Sequence, residues 1–119
     1  MTFYKQGLKL KMKIIKLIFM EEDIKILSER EIEEKLKDLP GWEREGNKIK
    51  KQFEFSSFPL GLEFINGLAP FFEEIDHHPD IRISYKKITF ELTRYSIGGK
   101  LTDRDFQTAR EIEKEFAEQ

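Results

Sequence analysis

The sequence predicts an α+β fold: a two-layer sandwich in which a four-stranded antiparallel sheet carries helices packed on one face, in the order α-ββ-α-ββ-α. Apolar residues recur at helical spacing in three segments, and they alternate with polar residues in two pairs of shorter segments. Of the 119 residues, 39% are hydrophobic and eleven are Phe. Because this is enough apolar material for one compact core, we expect a single ordered domain.

The first helix begins at a capping box and ends before Pro40-Gly41. The Ser28 hydroxyl can accept a hydrogen bond from the third helical N–H, and the Glu31 side chain can reach back to the cap. Apolar residues follow at helical spacing, at Ile32, Leu36 and Leu39. The helix stops here because proline cannot continue the backbone hydrogen bonds.

The first hairpin surrounds Gly46-Asn47, a pair that is typical of a tight turn between two strands. Its strands carry the apolar residues Trp42, Ile49, Phe53 and Phe55. The second helix has its N-cap at Ser56-Ser57 and an apolar face from Phe58 to Ile75. Pro70 lies inside this helix and is expected to kink or break it near Asn66-Gly67, because proline lacks an N–H.

The second hairpin and the last helix complete the order. Apolar and polar residues alternate over 81–85 and again over 88–92, and a tight turn is expected near Lys86-Lys87. Gly98-Gly99 is a loop, and Thr102 with Asp105 three residues later predicts a helix start. The apolar face of this helix contains Phe106, Ala109, Ile112 and Phe116.

Charge is distributed unevenly along the chain. Residues 1–19 carry five lysines and no acid, so a chain of formal charge −2 has −7 on its other residues. We interpret residues 1–19 as a basic N-terminal extension and residues 20–119 as the folded domain. The extension is either a signal or membrane-surface segment or a stretch upstream of a start at Met12 or Met20. The second interpretation is favoured because Lys16 interrupts the short apolar run and no small-residue cleavage site follows.

Composition excludes several classes of site and partner. The chain has no cysteine, which excludes disulfides, Cys-ligated zinc, iron–sulfur clusters and thiol nucleophiles. The net charge provides no overall basic field, so no direct nucleic-acid partner is expected. No apolar run reaches the roughly 18 residues of a membrane span. We therefore expect a soluble, cytoplasmic protein without a membrane partner.

His77 and His78 are the strongest candidates for chemistry. Imidazole titrates near neutral pH, and the chain has these two histidines alone. They follow the acidic end of the second helix and precede Pro79, which biases the backbone toward an extended conformation. Spacing leaves three interpretations open: structural histidines, a metal site, or general acid–base catalysts. A metal site is disfavoured because adjacent histidines on extended backbone point in different directions, so no metal ligand is assigned.

Several ordered blocks of the sequence resemble the pterin-4a-carbinolamine dehydratases. The signature of that family is an acidic residue, three positions, His-His-Pro, five positions and an aromatic residue; Glu73, residues 77–79 and Tyr85 fit it. Residues 39–42 (Leu-Pro-Gly-Trp) are similar to the start of the family's first hairpin, and residues 98–106 to its loop and last helix. The resemblance covers roughly residues 27–117.

The resemblance implies a hydro-lyase that dehydrates 4a-hydroxytetrahydropterins to the quinonoid dihydropterin, with no metal or organic cofactor. Its small-molecule partner would be a reduced pterin. His77 is then the main acid–base candidate, and His78 binds and orients the pterin. Glu73 joins this group, because it lies one helical turn before His77 and can pair with its imidazole. The substrate-binding residues implied by the resemblance are Pro79, Tyr85, Tyr95 and Asp105.

The chain departs from the family pattern at Tyr95, where the pattern has His or sometimes Trp. Tyrosine, with a pKa near 10, is a poor proton shuttle at pH 7, so reduced activity is expected. Lys100 resembles a one-residue insertion that would shift Asp105 relative to the pocket.

Two further functions stay open besides the dehydratase. One is a dehydratase acting on a different reduced pterin. The other is a pterin-binding or dimerisation module, such as a transcription cofactor, with weak or no catalysis. The resemblance also implies a homodimer or homotetramer. Assembly is expected on physical grounds too, because a single sheet layer leaves a face or an edge strand open.

Overall fold

The computed structural model describes residues 25–119, together with Lys11 and Ile14. The elements are α1 (Glu29–Leu36), β1 (Glu43–Glu45), β2 (Lys48–Glu54), α2 (Phe58–Glu74), β3 (Asp80–Ser84), β4 (Lys87–Leu92), a 3₁₀ turn (Tyr95–Ile97) and α3 (Asp103–Ala117). The predicted α+β order is confirmed. Apart from Lys11 and Ile14, the proposed extension of residues 1–19 lies outside the described residues and stays a prediction.

The four strands form one antiparallel sheet in the order β1-β2-β4-β3. Gly46-Asn47 joins β1 to β2, as the turn signal predicts. The second hairpin closes with Ser84 opposite Lys87. Its turn is therefore Tyr85-Lys86, one residue earlier than predicted, and Tyr85 has a left-handed backbone with φ of 56°.

One face of the sheet packs against the helices and forms the core. The buried side chains include Ile49, Phe53, Ile88, Phe90 and Leu92 from the sheet and Phe64, Leu68, Phe72, Phe106 and Ile112 from the helices. The Phe53 ring lies between 4.9 and 6.3 Å from the rings of Trp42, Phe64, Phe90 and Phe116. Aromatic pairs in such arrangements contribute about 0.5–1.5 kcal/mol each beyond their area burial. The cluster therefore fixes α2 and α3 against the sheet.

Helix α2 runs unbroken through Pro70, so the expected break near Asn66-Gly67 is wrong. The helix begins at Ser57, whose side chain accepts a hydrogen bond from the Leu60 N–H. Pro70 deprives the Asn66 carbonyl of its helical partner, yet both residues are accessible to solvent, so water can satisfy that carbonyl. The buried positions lie on the other side of the helix, where burial outweighs the missing hydrogen bond.

The edge strand β3 is the least covered part of the sheet. Ile81 and Ile83 face the helix side, opposite Phe90 and Ile88, yet they stay 36% and 43% exposed. The helices therefore leave apolar surface uncovered at this edge. Among the helices of the described residues, none combines the length and the apolar character that crossing a bilayer requires.

Candidate active site

The end of α2 turns the chain toward the core. Ile75 is the last residue with helical geometry, and Asp76 follows with a left-handed backbone, φ 50°. The Asp76 N–H donates to the Glu73 carbonyl at 3.2 Å, and the His77 N–H donates to the Phe72 carbonyl at 3.1 Å. These two bonds make a Schellman motif, which usually places glycine where this chain has Asp76. The motif leaves His77 only 5% exposed.

His77 is held by a buried carboxylate from a distant part of the chain. Its Nε2 lies 2.6 Å from Oδ1 of Asp105, which is 0% exposed. The other carboxylate oxygen of Asp105 accepts the N–H of Thr102 at 2.9 Å, within the first turn of α3. One carboxylate thus caps α3 and orients the imidazole, because its two oxygens accept from different donors.

The expected pairing of Glu73 with His77 is wrong. Glu73 instead lies 3.2 Å from Nε2 of His78, and both side chains are exposed. The four-residue spacing brings side chains together only while the chain remains helical. Asp76 ends the helical geometry before His77, so the imidazole points away from Glu73.

Arg104 reinforces the same junction. Its side chain is 4% exposed, and its guanidinium donates to the Ile75 carbonyl at 2.8 Å. That carbonyl is at the C-terminal end of α2, where a positive charge is favourable. Arg104 and Asp105 are consecutive, so the first turn of α3 holds the chain on both sides of Asp76. Sequence reasoning had no signal for this role, because an arginine near a helix start is normally solvated.

A pocket of about 180 Å³ opens beside the two histidines. It is lined by Asp76, His77, His78, Thr93, Arg94, Tyr95 and Ser96. Three of the predicted site residues line it, and Asp105 and Glu73 reach it through the histidines that they contact. Thr93 and Ser96 were missed, because their place in the wall depends on the loop after β4.

Two predicted binding residues do not line this pocket. Tyr85 lies in the β3–β4 turn, at the end of β3 away from the histidines, and it is 71% exposed. Pro79 follows His78 directly but is not among the lining residues. For Tyr85 the reason is the strand itself: β3 is extended and separates the residue from the pocket by its whole length.

Tyr95 belongs to a polar cluster at the pocket's outer wall. Its hydroxyl donates to the Asp80 carboxylate at the start of β3. Lys48 lies 5.6 Å from the centre of the Tyr95 ring, 4.0 Å from Asp80 and 3.9 Å from Glu91. Its interaction with the Tyr95 hydroxyl, and with the nearby acids, raises the pKa of Lys48. The cluster therefore brings together the Tyr95 hydroxyl, the Asp80 carboxylate and the Lys48 ammonium.

The loop from β4 to α3 closes on itself before α3 begins. The Arg94 N–H donates to the Lys100 carbonyl at 2.9 Å, and the Gly99 N–H donates to the Arg94 carbonyl at 3.0 Å. The Leu101 carbonyl then accepts the N–H of Leu27 at 2.9 Å. Lys100 lies inside this closed loop, and the shift of Asp105 expected from it stays a prediction.

The arrangement suits proton transfer. His77 has one ring nitrogen on a buried carboxylate, and within residues 25–119 no hydrogen bond to its Nδ1 is present. Such an imidazole is fixed in orientation and can exchange a proton through the other nitrogen. Across the described residues, no group of three His, Cys, Asp or Glu side chains is placed to hold a metal ion.

Comparison with known proteins places the chain in one family. The family model described as pterin 4 alpha carbinolamine dehydratase matches residues 25–115. A protein of Roseiflexus sp. (strain RS-1), named "Putative pterin-4-alpha-carbinolamine dehydratase", is 47% identical over 88 residues, which are 74% of this chain and 94% of that protein. A protein of the same name from Sulfolobus acidocaldarius is 41% identical over 88 residues, 74% and 96% of the two chains.

Two solved structures are also similar. The crystal structure of a transcriptional coactivator/pterin dehydratase from Brucella melitensis superposes with a TM-score of 0.72 at 28% identity, covering 76% of this chain and 98% of that one. A pterin dehydratase-like protein identified as a RuBisCO assembly factor in the alpha-carboxysome has a TM-score of 0.50 at 20% identity, covering 62% and 84%. At that identity the second likeness concerns the fold alone.

Proposed function

The chain belongs to the pterin 4 alpha carbinolamine dehydratase family, and from this premise we propose that it dehydrates a 4a-hydroxytetrahydropterin to the quinonoid dihydropterin. The observation that carries the proposal is the buried pair of His77 and Asp105 at the wall of a pocket that His78 and Tyr95 also line. The reaction needs one proton delivered to the leaving hydroxyl and one removed from the neighbouring ring nitrogen, N5. An imidazole with an ordinary pKa of about 6.5 suits such transfers near neutral pH.

His77 is the proton donor in this scheme. Asp105 occupies Nε2, which leaves Nδ1 as the ring nitrogen available to the substrate. Because the carboxylate accepts the Nε2 proton, the imidazolium presents its Nδ1–H to the substrate and the neutral ring keeps its proton on Nε2. The C4a–O bond breaks with its electron pair on oxygen, and the proton from His77 converts the leaving group to water.

His78 is the residue that binds and orients the pterin. Its side chain is 52% exposed, and its Nε2 contacts Glu73, which is more exposed still. It can therefore turn toward a ligand without leaving a buried partner unsatisfied. Glu73 steers the imidazole of His78 rather than that of His77, so its contribution is smaller than the resemblance implies.

The test is a direct rate measurement with the full chain. The 4a-hydroxytetrahydropterin is generated in situ by an aromatic amino acid hydroxylase, and its loss is followed by absorbance. The wild-type protein is expected to accelerate the loss, and His77→Ala to lower kcat by about 100-fold, the lower end for general acid–base catalysis. His78→Ala is expected to raise KM more than it lowers kcat.

Two outcomes of this assay would contradict the scheme separately. A wild-type protein without any acceleration rejects the dehydratase activity. A His77→Ala variant with the wild-type rate rejects the role of His77 and leaves the activity standing. Glu34→Gln, an exposed change on α1, is the control for handling and folding.

An alternative function is a binding module without turnover. The specific observation in its favour is Tyr95, which stands where the family pattern has His or Trp. Pterin binding with a measurable Kd but no acceleration would favour this alternative. The coactivator and assembly-factor roles in the names above belong to those proteins, and no partner is assigned to this chain.

We also propose that the chain forms a homodimer or homotetramer. All five residues of β3 are exposed, and the strand presents both unpaired backbone groups and the side chains of Ile81 and Ile83. An open edge of this kind is normally covered by a partner or blocked by charge. Light scattering that shows only monomer at working concentration would reject this proposal.

A further inference from the structure

We propose that Tyr95 and Asp80 act together as the base that removes the N5 proton, with Tyr95 passing the proton to the Asp80 carboxylate. The inference rests on the proposed dehydration and adds to it the second proton-transfer group. It concerns a pair of this chain's own residues: Tyr95 lines the pocket with the histidines, and Asp80 lies behind it at the start of β3.

The Tyr95 hydroxyl is the donor in its hydrogen bond with the Asp80 carboxylate. A tyrosine hydroxyl has one proton and two lone pairs. Because that proton is donated to Asp80 and the Lys48 ammonium also interacts with the hydroxyl, one lone pair is left for the hydroxyl to offer to a ligand. Tyr95 is therefore set as an acceptor for a substrate N–H, and it is not set as the acid for the leaving hydroxyl.

The step needs no free tyrosinate, unlike the proton shuttle considered from the sequence, because the Tyr95 hydroxyl gives its own proton to Asp80 as it accepts another. Loss of the 4a-hydroxyl as water leaves a cation shared between C4a and N5, and this makes the N5 proton strongly acidic. The N5–H bond then breaks, its electron pair stays on N5 and the C4a=N5 double bond remains. The proton moves to the Tyr95 oxygen while the original hydroxyl proton moves to Asp80, so no oxidant or other reactant is needed.

Lys48 lies beside the carboxylate that receives the proton. Its ammonium lies 4.0 Å from the Asp80 carboxylate and close to the Tyr95 ring. The ion pair holds the Asp80 carboxylate beside the Tyr95 hydroxyl from which it receives the proton. Because the Asp80 side chain is 54% exposed, its proton can pass to water.

The two histidines do not fill this role. His77 is committed to the leaving hydroxyl and to Asp105, and His78 contacts Glu73. Among the lining residues, Arg94 is a cation, and Thr93 and Ser96 have no carboxylate contact in the described part of the chain. Asp76 is a carboxylate, but it directly precedes His77, on the acid side of the pocket. Tyr95 alone among these lining residues combines a hydroxyl at the pocket wall with a carboxylate behind it.

The test is a mutant cycle in the dehydration assay with the full chain. Tyr95→Phe and Asp80→Asn are each expected to lower kcat by 10-fold or more with little change in KM. Tyr95→His supplies a base of its own, so it is expected to retain activity and to make Asp80→Asn nearly silent. Glu91→Gln is the matched control, because Glu91 also faces Lys48 but does not contact Tyr95.

The outcomes separate this inference from the proposed function. An active wild-type protein whose Tyr95→Phe variant keeps full kcat overturns the inference alone. Equal losses from Asp80→Asn in the wild-type protein and in the Tyr95→His variant also overturn it, since Asp80 would then act independently of the hydroxyl. A wild-type protein without acceleration overturns the dehydratase activity and this inference together.

Discussion

Nε2 of His77 lies 2.6 Å from Oδ1 of Asp105, although 28 positions separate the two residues in the sequence. The contact joins the residue that follows the α2 C-terminal turn to the first turn of α3, and both side chains are buried. A carboxylate buried in this way is tolerable only because both of its oxygens have donors. The site and the packing of the two helices therefore depend on the same side chain.

Asp105→Asn tests whether Asp105 orients the His77 imidazole in addition to capping α3. The amide oxygen can still accept the Thr102 N–H, but the charged partner of His77 is lost, which costs about 1.5–3 kcal/mol of unfolding free energy. We expect kcat to fall by 10-fold or more while KM changes little. The measurements are urea unfolding, steady-state kinetics and the side-chain NMR shifts of His77. Unchanged His77 shifts would contradict the positioning role.

Arg104→Met tests the second contact that fixes the chain after α2, the hydrogen bond from Arg104 to the Ile75 carbonyl. Removing the guanidinium leaves the Ile75 carbonyl without this donor in a buried setting, at a cost of about 1–3 kcal/mol. We expect kcat to fall by several-fold, and Arg104→Lys to restore part of the loss. Thr108→Val is the matched control, since it removes one buried hydrogen bond to the Arg104 carbonyl and leaves Ile75 untouched. Equal effects of both variants on kcat would show that general stability alone is responsible.

Glu31→Gln tests the capping box of α1 through pH. The hydrogen bond from Lys25, followed by those from Ser28, lowers the pKa of Glu31 to about 2. A lowered folded-state pKa contributes stability above the ordinary value of 4.5, and this contribution is lost as the pH falls toward about 2. The Tm advantage of the wild-type protein over Glu31→Gln should therefore shrink between pH 5 and pH 2. Glu33→Gln, which removes a charge from α1 but no contact of the capping box, is the control variant.

Alanine substitutions at two glycines of α2 are expected to change stability in opposite directions. A Cβ at Gly61 would lie 2.8 Å from Cδ1 of Ile88, so Gly61→Ala is expected to destabilise the fold by about 1–3 kcal/mol. A Cβ at Gly67 would meet no neighbouring atom of the described residues within 4 Å, and alanine there should stabilise by about 0.4–1 kcal/mol. Urea unfolding followed by Trp42 fluorescence measures both changes. A Gly61→Ala variant as stable as the wild type would mean that the Ile88 side chain moves aside at little cost.

The order of the elements was predictable because the relevant signals are local. Apolar periodicity and turn residues such as Gly46-Asn47 act over a few positions. Packing of the apolar faces in the core then stabilises the same elements that these local signals predict. Pro70 misled the prediction for a related reason. The local rule predicts that proline removes one helical hydrogen bond. The rule does not say that the residue losing its partner, Asn66, is exposed to water while the opposite side of the helix is buried.

The candidate site was predictable in its residue types and less so in its contacts. Resemblance identified His77, His78 and Asp105, but the partner of each histidine depends on the left-handed backbone at Asp76. A non-glycine residue rarely adopts that conformation, so a sequence pattern gives no warning of it. The role of Arg104 was hidden too, because its partner is a backbone carbonyl, which every residue has.

The self-closed loop that follows β4 has a consequence for how members of this fold diversify. Its end at Lys100 is tied back to Arg94, and α3 is anchored independently through Leu101. We therefore expect that changes of length between these anchors would alter the pocket wall at Arg94, Tyr95 and Ser96 and preserve the contact of Asp105 with His77. Changes of sequence between Arg94 and Lys100 are therefore expected to alter which ligand the pocket binds and to leave the rest of the fold in place.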